Sequence, residues 1–158
     1  MEKEGNAVKN VNINEQSVNT SEQSVSVFGY ELLREVLIPD ILGKETPQIL
    51  YWAGKNLARK FPLPTTEEII SFFHDAGWGD LTVERLDKNS IEFHLEGSIV
   101  STRFKRKDIC TFQLESGFLA QQIQQQKNRI TESFEQQKRR AQKIIFTVKW
   151  DPKDITEE

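Results

Sequence analysis

The sequence predicts an α+β fold, an antiparallel sheet of two hairpins packed against about four helices in the order ααα-ββ-α-ββ. Two observations carry this. The apolar period is 3.6 through the first half and changes to 2 after Gly79, returning to 3.6 once between two alternating stretches. No strand–helix–strand alternation appears, so helices segregate to one face of an antiparallel sheet. At 158 residues the length fits one domain. The expected boundaries are a tail over 1–26, a domain over 27–151 and an acidic tail over 152–158.

The tail is rich in Asn, Gln, Ser and Glu. Its valines (Val8, Val11, Val18, Val25) lack aromatic company and bury too little surface to offset chain entropy. The first helix begins near Phe28, where Phe28, Leu32, Val36 and Leu37 recur at helical spacing and Pro39 disfavours continuation. The second opens at Thr46-Pro47, with Thr as cap and Pro in the first turn. Ile49, Leu50, Ala53, Leu57 and Phe61 form its apolar stripe, and Tyr51 and Trp52 fall outside it beside Lys55 and Arg59. Thr65 and Glu68 frame a capping box for the third helix, which turns Ile69, Phe72, Phe73 and Ala76 inward and stops at Gly77.

Leu81–Glu84 and Ile91–Glu96 alternate around a turn at Asp87–Ser90, and residues 97–104 extend or cross that sheet. A fourth helix spans Cys110 to Lys127. Gly117 permits close backbone approach within its apolar first half, and the glutamine-rich second half is expected to project into solvent. Ile130, Glu132 and Phe134, a turn near Arg139, and Ile144, Phe146, Val148 and Trp150 make the last hairpin.

Composition excludes more chemistry than it selects. Lys+Arg is 21 against Asp+Glu 24, and one cysteine and two histidines are present. That balance lacks the basic footprint of a dedicated nucleic-acid binder. One cysteine rules out an internal disulfide and a cysteine-rich metal site. No phosphate loop or dinucleotide fingerprint occurs. No apolar run reaches the ~18 residues of a membrane span, and no secretory leader is present, so a cytoplasmic location is expected. Neither a metal nor a cofactor is expected. His94 is read as solvated between Glu92 and Glu96, and His74 as a satisfied residue at the helix edge. Glu115 and Glu132 are carboxylates that nothing brings together.

Three features remain as candidates. Tyr51 and Trp52 call for a second contact outside the core stripe, and with Phe28 they are the candidates for a dimer or partner interface. Trp52, Phe73, Leu114 and Phe118 are the candidate lining of a hydrophobic ligand pocket. Cys110 lies near a helix start beside Lys105, Arg106 and Lys107, which would lower a thiol pKa, against the ordinary reading of a small buried hydrophobe. Arg103, Lys105, Arg106 and Lys107 form one basic cluster and Lys138, Arg139, Arg140 and Lys143 a second. They read either as solvated loops or, if they meet in space, as an anion or nucleic-acid patch.

The segment FGYELLREVLIPDILG, followed by ILYWAGKNLARKFP and FFHDAGWGDL, resembles the YslB-like family of bacterial proteins over residues 27–150. That family is similar to TRAPP-like and 4-vinyl reductase-like domains, a superfamily that includes haem nitric oxide-binding domains. Cys110-Thr111-Phe112 with Gly117-Phe118-Leu119-Ala120 looks like their helix entry, and Thr131-Glu132 with the strand Lys143–Val148 looks like their final hairpin. The resemblance implies a TRAPP-like fold that often encloses a hydrophobic tunnel and often dimerises. It also implies a site for an acyl chain, for which Cys110 is the candidate. The cysteines expected to bind metal beside the final hairpin are absent, and Ser133, Phe134 and Glu135 stand there instead. Neither histidine matches a haem ligand. The expectation is therefore a non-enzymatic binding module, a homodimer that takes a partner protein or a small hydrophobic molecule. The alternatives are an enzyme with Cys110 as nucleophile and an anion or nucleic-acid binder acting through the basic loops.

Overall fold

The computed structural model describes residues 23–106 and 110–156. Most of the expected N-terminal tail, Lys107 and the last two residues lie outside the described residues. The helical run α1 spans residues 27–42, as α turns at Val27–Glu31 and Ile38–Leu42 around a π segment, Leu32–Leu37. Then come α2 (Thr46–Lys60), α3 (Thr66–Asp75), β1 (Asp80–Leu86), β2 (Ser90–Glu96), α4 (Ser98–Phe104), α5 (Gln113–Lys127), β3 (Arg129–Lys138) and β4 (Lys143–Ile155). The four strands form one antiparallel sheet in the order β1-β2-β4-β3.

Local signals place most of these elements. Thr65 and Glu68 make the reciprocal capping box at the start of α3. Gly77, at φ 70°, ends it, with Trp78 N–H donating to Phe73 O at 2.9 Å. The first hairpin turns between Leu86 and Ser90, as the alternation predicts. Residues 98–104, expected to extend or cross the sheet, are instead the short helix α4. The strand β4 continues past Trp150 to Ile155, because Arg129 of β3 still pairs with Ile155.

Pro39 does not stop α1. The Ile38 N–H reaches back to Leu33 O, and this widened turn lets proline enter the first turn of the next α segment, where a missing donor costs nothing. Gly43, at φ 65°, ends the run.

The core lies between the inner sheet face and the helices. Leu81, Phe93, Leu95, Ile144, Phe146 and Val148 meet Ile69, Phe73, Phe118 and Leu119. Helix α5 is sandwiched between the sheet and α2, which is why it is buried from Glu115 to Ile123. It begins at Gln113 rather than near Cys110, and Glu135 of β3 accepts from Phe112 N–H and Gln113 Nε2 at this entry. The glutamine half does not project into water. Gln122 is fully buried; its Nε2 donates to Phe61 O (2.7 Å) and its Oε1 accepts from Leu63 N–H. Gln126 donates to Leu63 O, and Gln124 accepts from Thr131 N–H. These amides satisfy backbone groups of a loop and a strand edge that would otherwise be buried unpaired.

Helices α2 and α5 cross backbone to backbone. A Cβ on Gly117 would fall 2.0 Å from Tyr51 O, and one on Gly54 would fall 2.1 Å from Leu114 O. This crossing rotates α2 about its axis. Leu50, Gly54 and Ala58 are buried, while Ile49 and Phe61 of the expected stripe face water.

Because both obstructing atoms are backbone, Gly117→Ala must separate the two helices. A loss of roughly 3 kcal/mol or more in urea-unfolding stability is expected, at the upper end of overpacking costs. Gly43→Ala, with nothing near its Cβ position, should cost only the strain of its backbone, φ 65° with ψ −145°, a region kept almost entirely for glycine, about 1–3 kcal/mol.

Candidate docking surface and buried ion network

The outward and inward sides of α1 are the reverse of a helix packed on a core. Glu31, Arg34 and Glu35 face the body of the protein. Arg34 Nη2 lies 2.6 Å from Glu115 Oε1, and Arg103 Nη1 lies 3.2 Å from Glu115 Oε2. Arg103 Nε pairs with Glu35 at 2.5 Å, and Arg106 with Glu31 at 3.3 Å. Thr111 O accepts from both buried arginines, and Tyr30 Oη accepts from Arg34. The Arg103 guanidinium also stacks on the Phe112 ring, 3.8 Å from its centroid.

Glu115 is 0% exposed. Burial alone would raise its pKa, but Arg34 and Arg103 outweigh burial and hold the carboxyl below its usual range. For Arg34, burial works against the charge and Glu115 more than restores it, so the guanidinium stays protonated. Two arginines and two glutamates thus form a closed, neutral set linking α1, α4 and α5.

With Glu31, Arg34 and Glu35 turned in and Asp40 alone of its charged residues left exposed, α1 turns its apolar side out. Val25, just before the helix, and Val27, Phe28, Leu32, Leu33, Val36, Leu37 and Ile41 on it leave between 39% and 78% of their surface in water. At ~150–200 Å² for a whole large side chain, this is roughly 800 Å² of apolar residues. The largest patch on an ordinary monomer is ~300–600 Å².

A second feature lies between α2 and β3. A groove of about 360 Å³ is lined by Pro47, Gln48, Tyr51, Trp52, Gln113, Glu132, Ser133 and Phe134. The Tyr51 hydroxyl accepts from Ser133 N–H at 3.1 Å, and Trp52 is 61% exposed. Lys55 Nζ lies 5.1 Å and 5.2 Å from the two ring centroids.

The expected pocket residues divide. Phe73 and Phe118 meet at 5.9 Å between ring centroids, inside a cluster with Phe72 and Trp78, and both are fully buried. Leu114 packs partly buried against that core, and Trp52 stands apart in the groove. The interface candidates Phe28, Tyr51 and Trp52 fall on two surfaces, Phe28 on the exposed side of α1 and the other two in the groove.

Cys110 is 2% exposed. Burial pushes its thiol pKa up, and the guanidiniums of Arg103 and Arg139 do not reverse this. The expected lowering by a helix start fails because the helix begins three residues later. The two basic clusters do meet. Arg139 Nη1 donates to Phe104 O at 3.1 Å, and its guanidinium lies over the Phe104 ring. The meeting spends charge rather than collecting it, since Arg103 is buried against two glutamates, Arg106 pairs with Glu31, and Arg139 caps α4.

The side chain of His94 is not solvated. It is 12% exposed, 3.2 Å from Glu92 and 3.9 Å from Glu84. His74 is exposed beside Asp75. Among the described residues, no three His, Cys, Asp or Glu side chains group as metal ligands, and no helix is long and apolar enough to cross a membrane.

Sequence reasoning named Glu115 only to set it aside and missed its two partners. The available signal was Arg34 and Glu35 breaking the apolar pattern of α1.

Glu115→Gln leaves two guanidiniums facing one neutral amide and should cost about 3–5 kcal/mol of unfolding stability. The same carboxylate links stability to pH. Its folded pKa is depressed, so its contribution is complete above the ordinary value of about 4.5 and is lost as pH falls through the folded pKa. Urea melts from pH 7 to 3 should show this acid loss in the native protein and a flatter profile in Glu115→Gln.

Comparison with known proteins agrees with this architecture. A family model described as "Protein of unknown function (DUF2507)" matches residues 27–149. "Uncharacterized protein YslB" of Bacillus subtilis (strain 168) is 51% identical over 136 residues, covering 86% of this chain and 92% of that protein. The crystal structure of a vinyl-4-reductase family protein from Methanocaldococcus jannaschii superposes with a TM-score of 0.62 at 18% identity, over 82% of this chain and 83% of that one. At that identity the likeness concerns the fold, which is therefore shared with vinyl-4-reductase family proteins. The family match over residues 27–149, together with half-identity to a protein of nearly equal span, shows that the chain belongs to the DUF2507 family, to which the YslB-like sequence pattern pointed.

Proposed function

We propose that this protein is a non-enzymatic docking module that pairs with a second copy of itself through the exposed apolar side of α1. The observation that carries this reading is the roughly 800 Å² of apolar residues turned to water on one helix, close to the ~800 Å² each partner contributes to a standard stable interface. A second copy supplies the same apolar face, so a two-fold pairing of the helices covers both at once.

The absence of enzymatic activity is part of the same proposal. The buried Cys110 thiol, with its raised pKa, lacks the accessible thiolate of a nucleophile. Glu115 is neutralised by its two arginines and has no path to a substrate. A hydrophobic small molecule at Phe73 and Phe118 has less support, because those rings fill their own space. The anion reading has less support than self-pairing, because three of the basic side chains are committed within the fold. A cytoplasmic location remains the expectation that accompanies this reading.

Light scattering on a size-exclusion column tests the pairing. A dimer mass is expected at micromolar concentration, with Leu33→Asp and Phe28→Asp each shifting it to monomer while the circular dichroism spectrum and melting temperature hold. A monomer mass for the native chain at 100 µM, on the order of a thousand times a tight complex's Kd, overturns the proposal. Iodoacetamide alkylation of Cys110 in the native protein at pH 8 should be at least about 100-fold slower than in urea, as for a group reached only by opening. A native rate equal to the unfolded rate would restore the nucleophile alternative.

A further inference from the structure

Covered and exposed residues alternate in pairs along α1. Residues 30–31, 34–35 and 38–39 are covered, and residues 32–33, 36–37 and 40–41 are exposed, a period of four. An α-helix has 3.6 residues per turn, so it would carry such a pattern round its axis by about 40° at each repeat. The π segment Leu32–Leu37 is a wider turn and works against that drift. The exposed side therefore consists of two rows that run close to the helix axis. One row is Phe28, Leu32, Val36 and Asp40, and the other is Leu33, Leu37 and Ile41.

The direction of the rows decides how a second copy can lie. On an ordinary α-helix, rows of residues four apart slant by about 26°, and two such helices cross at about 50° and touch only near the crossing. Rows along the axis let two helices lie side by side over their whole length. Asp40 then decides their relative direction. It is the exposed charge on α1, and among the described residues it has no ion pair. Parallel helices about a two-fold axis would bring both Asp40 carboxylates together beside an apolar seam, where like charges are costly. Antiparallel helices centred on the exposed face hold them roughly 16 Å apart. That exceeds the ~10 Å over which charges act in 0.1 M salt.

We propose that the second copy lies antiparallel along α1, each row against the same row of its partner. Leu32 then meets the partner's Val36, Leu33 meets the partner's Leu37, and Phe28 lies beside the partner's Asp40. This rests on the self-pairing proposed above and adds its direction and register. The register is the one that covers both rows from end to end.

Disulfide trapping tests this arrangement, since a disulfide forms only where Cα atoms come within ~7 Å. Phe28→Cys and Asp40→Cys each replace an exposed side chain that supports no core. Light scattering of the native chain and of each variant comes first, and a dimer mass is expected. The two variants are then mixed until subunits exchange, oxidised and read by intact mass. The native chain, whose Cys110 is buried, gives the background. The mixture should form the disulfide between positions 28 and 40 at least tenfold faster than either variant links to itself. Faster linking of Asp40→Cys to itself would show parallel helices and overturn the proposal. A dimer mass with no linkage in the mixture would show helices that cross steeply or pairing elsewhere, and it overturns the proposal while leaving self-association in place. A monomer mass for the native chain removes the self-pairing and this inference together.

Discussion

A single buried carboxylate organises the N-terminal third of the protein. Glu115 sits on the helix at the centre of the fold, where an isolated charge is prohibitively costly. Two guanidiniums must reach it, and they come from different places. Arg103 arrives on a short helix after the first hairpin, and Arg34 arrives on α1. Once Arg34 and Glu35 are committed inward, the rest of α1 has no choice of face. Its leucines and its phenylalanine turn to water because the charged residues took the inner side. The network is weak evidence for stability, since a well-packed apolar set can do as well. It is strong evidence for orientation, because charges that cannot be left unpaired fix one arrangement of three helices.

The central helix imposes a second constraint. Gly54 and Gly117 let two backbones touch, and this places α5 close enough to both α2 and the sheet to be enclosed. Enclosure leaves the glutamines of α5 facing loops and strand edges rather than solvent, and each finds a backbone partner. The outer edge of β3 is closed in the same way. Gln124 and Tyr51 accept from its amides, and the side chains of Glu135 and Gln137 reach the segment before α5. A sealed edge does not recruit stray strands.

The fold is shared with a vinyl-4-reductase family protein, and in this chain the corner beside the final hairpin is held by hydrogen bonds. At that corner Ser133 hydrogen-bonds to Ser116 and Tyr51, and Glu135 caps the central helix. Those positions are structural ties.

The amino-acid order alone determined what is local. The capping box at Thr65, the stop at Gly77, the first hairpin turn and the inner face of β2 and β4 each rest on residues a few positions apart, and all stand where the pattern puts them. The family pattern was legible for the same reason, as runs of consecutive residues. Tertiary structure decided what depends on distant partners. It placed Arg34 and Glu115, 81 residues apart, in one ion pair. It set the rotation of α2 by a glycine on another helix, buried the glutamines, and put Arg103 and Arg139 beside Cys110, where a linear reading had looked to Lys105, Arg106 and Lys107. Periodicity reports which side of a helix is apolar, but the side that faces the protein is chosen by whichever buried group would cost most if left without a partner.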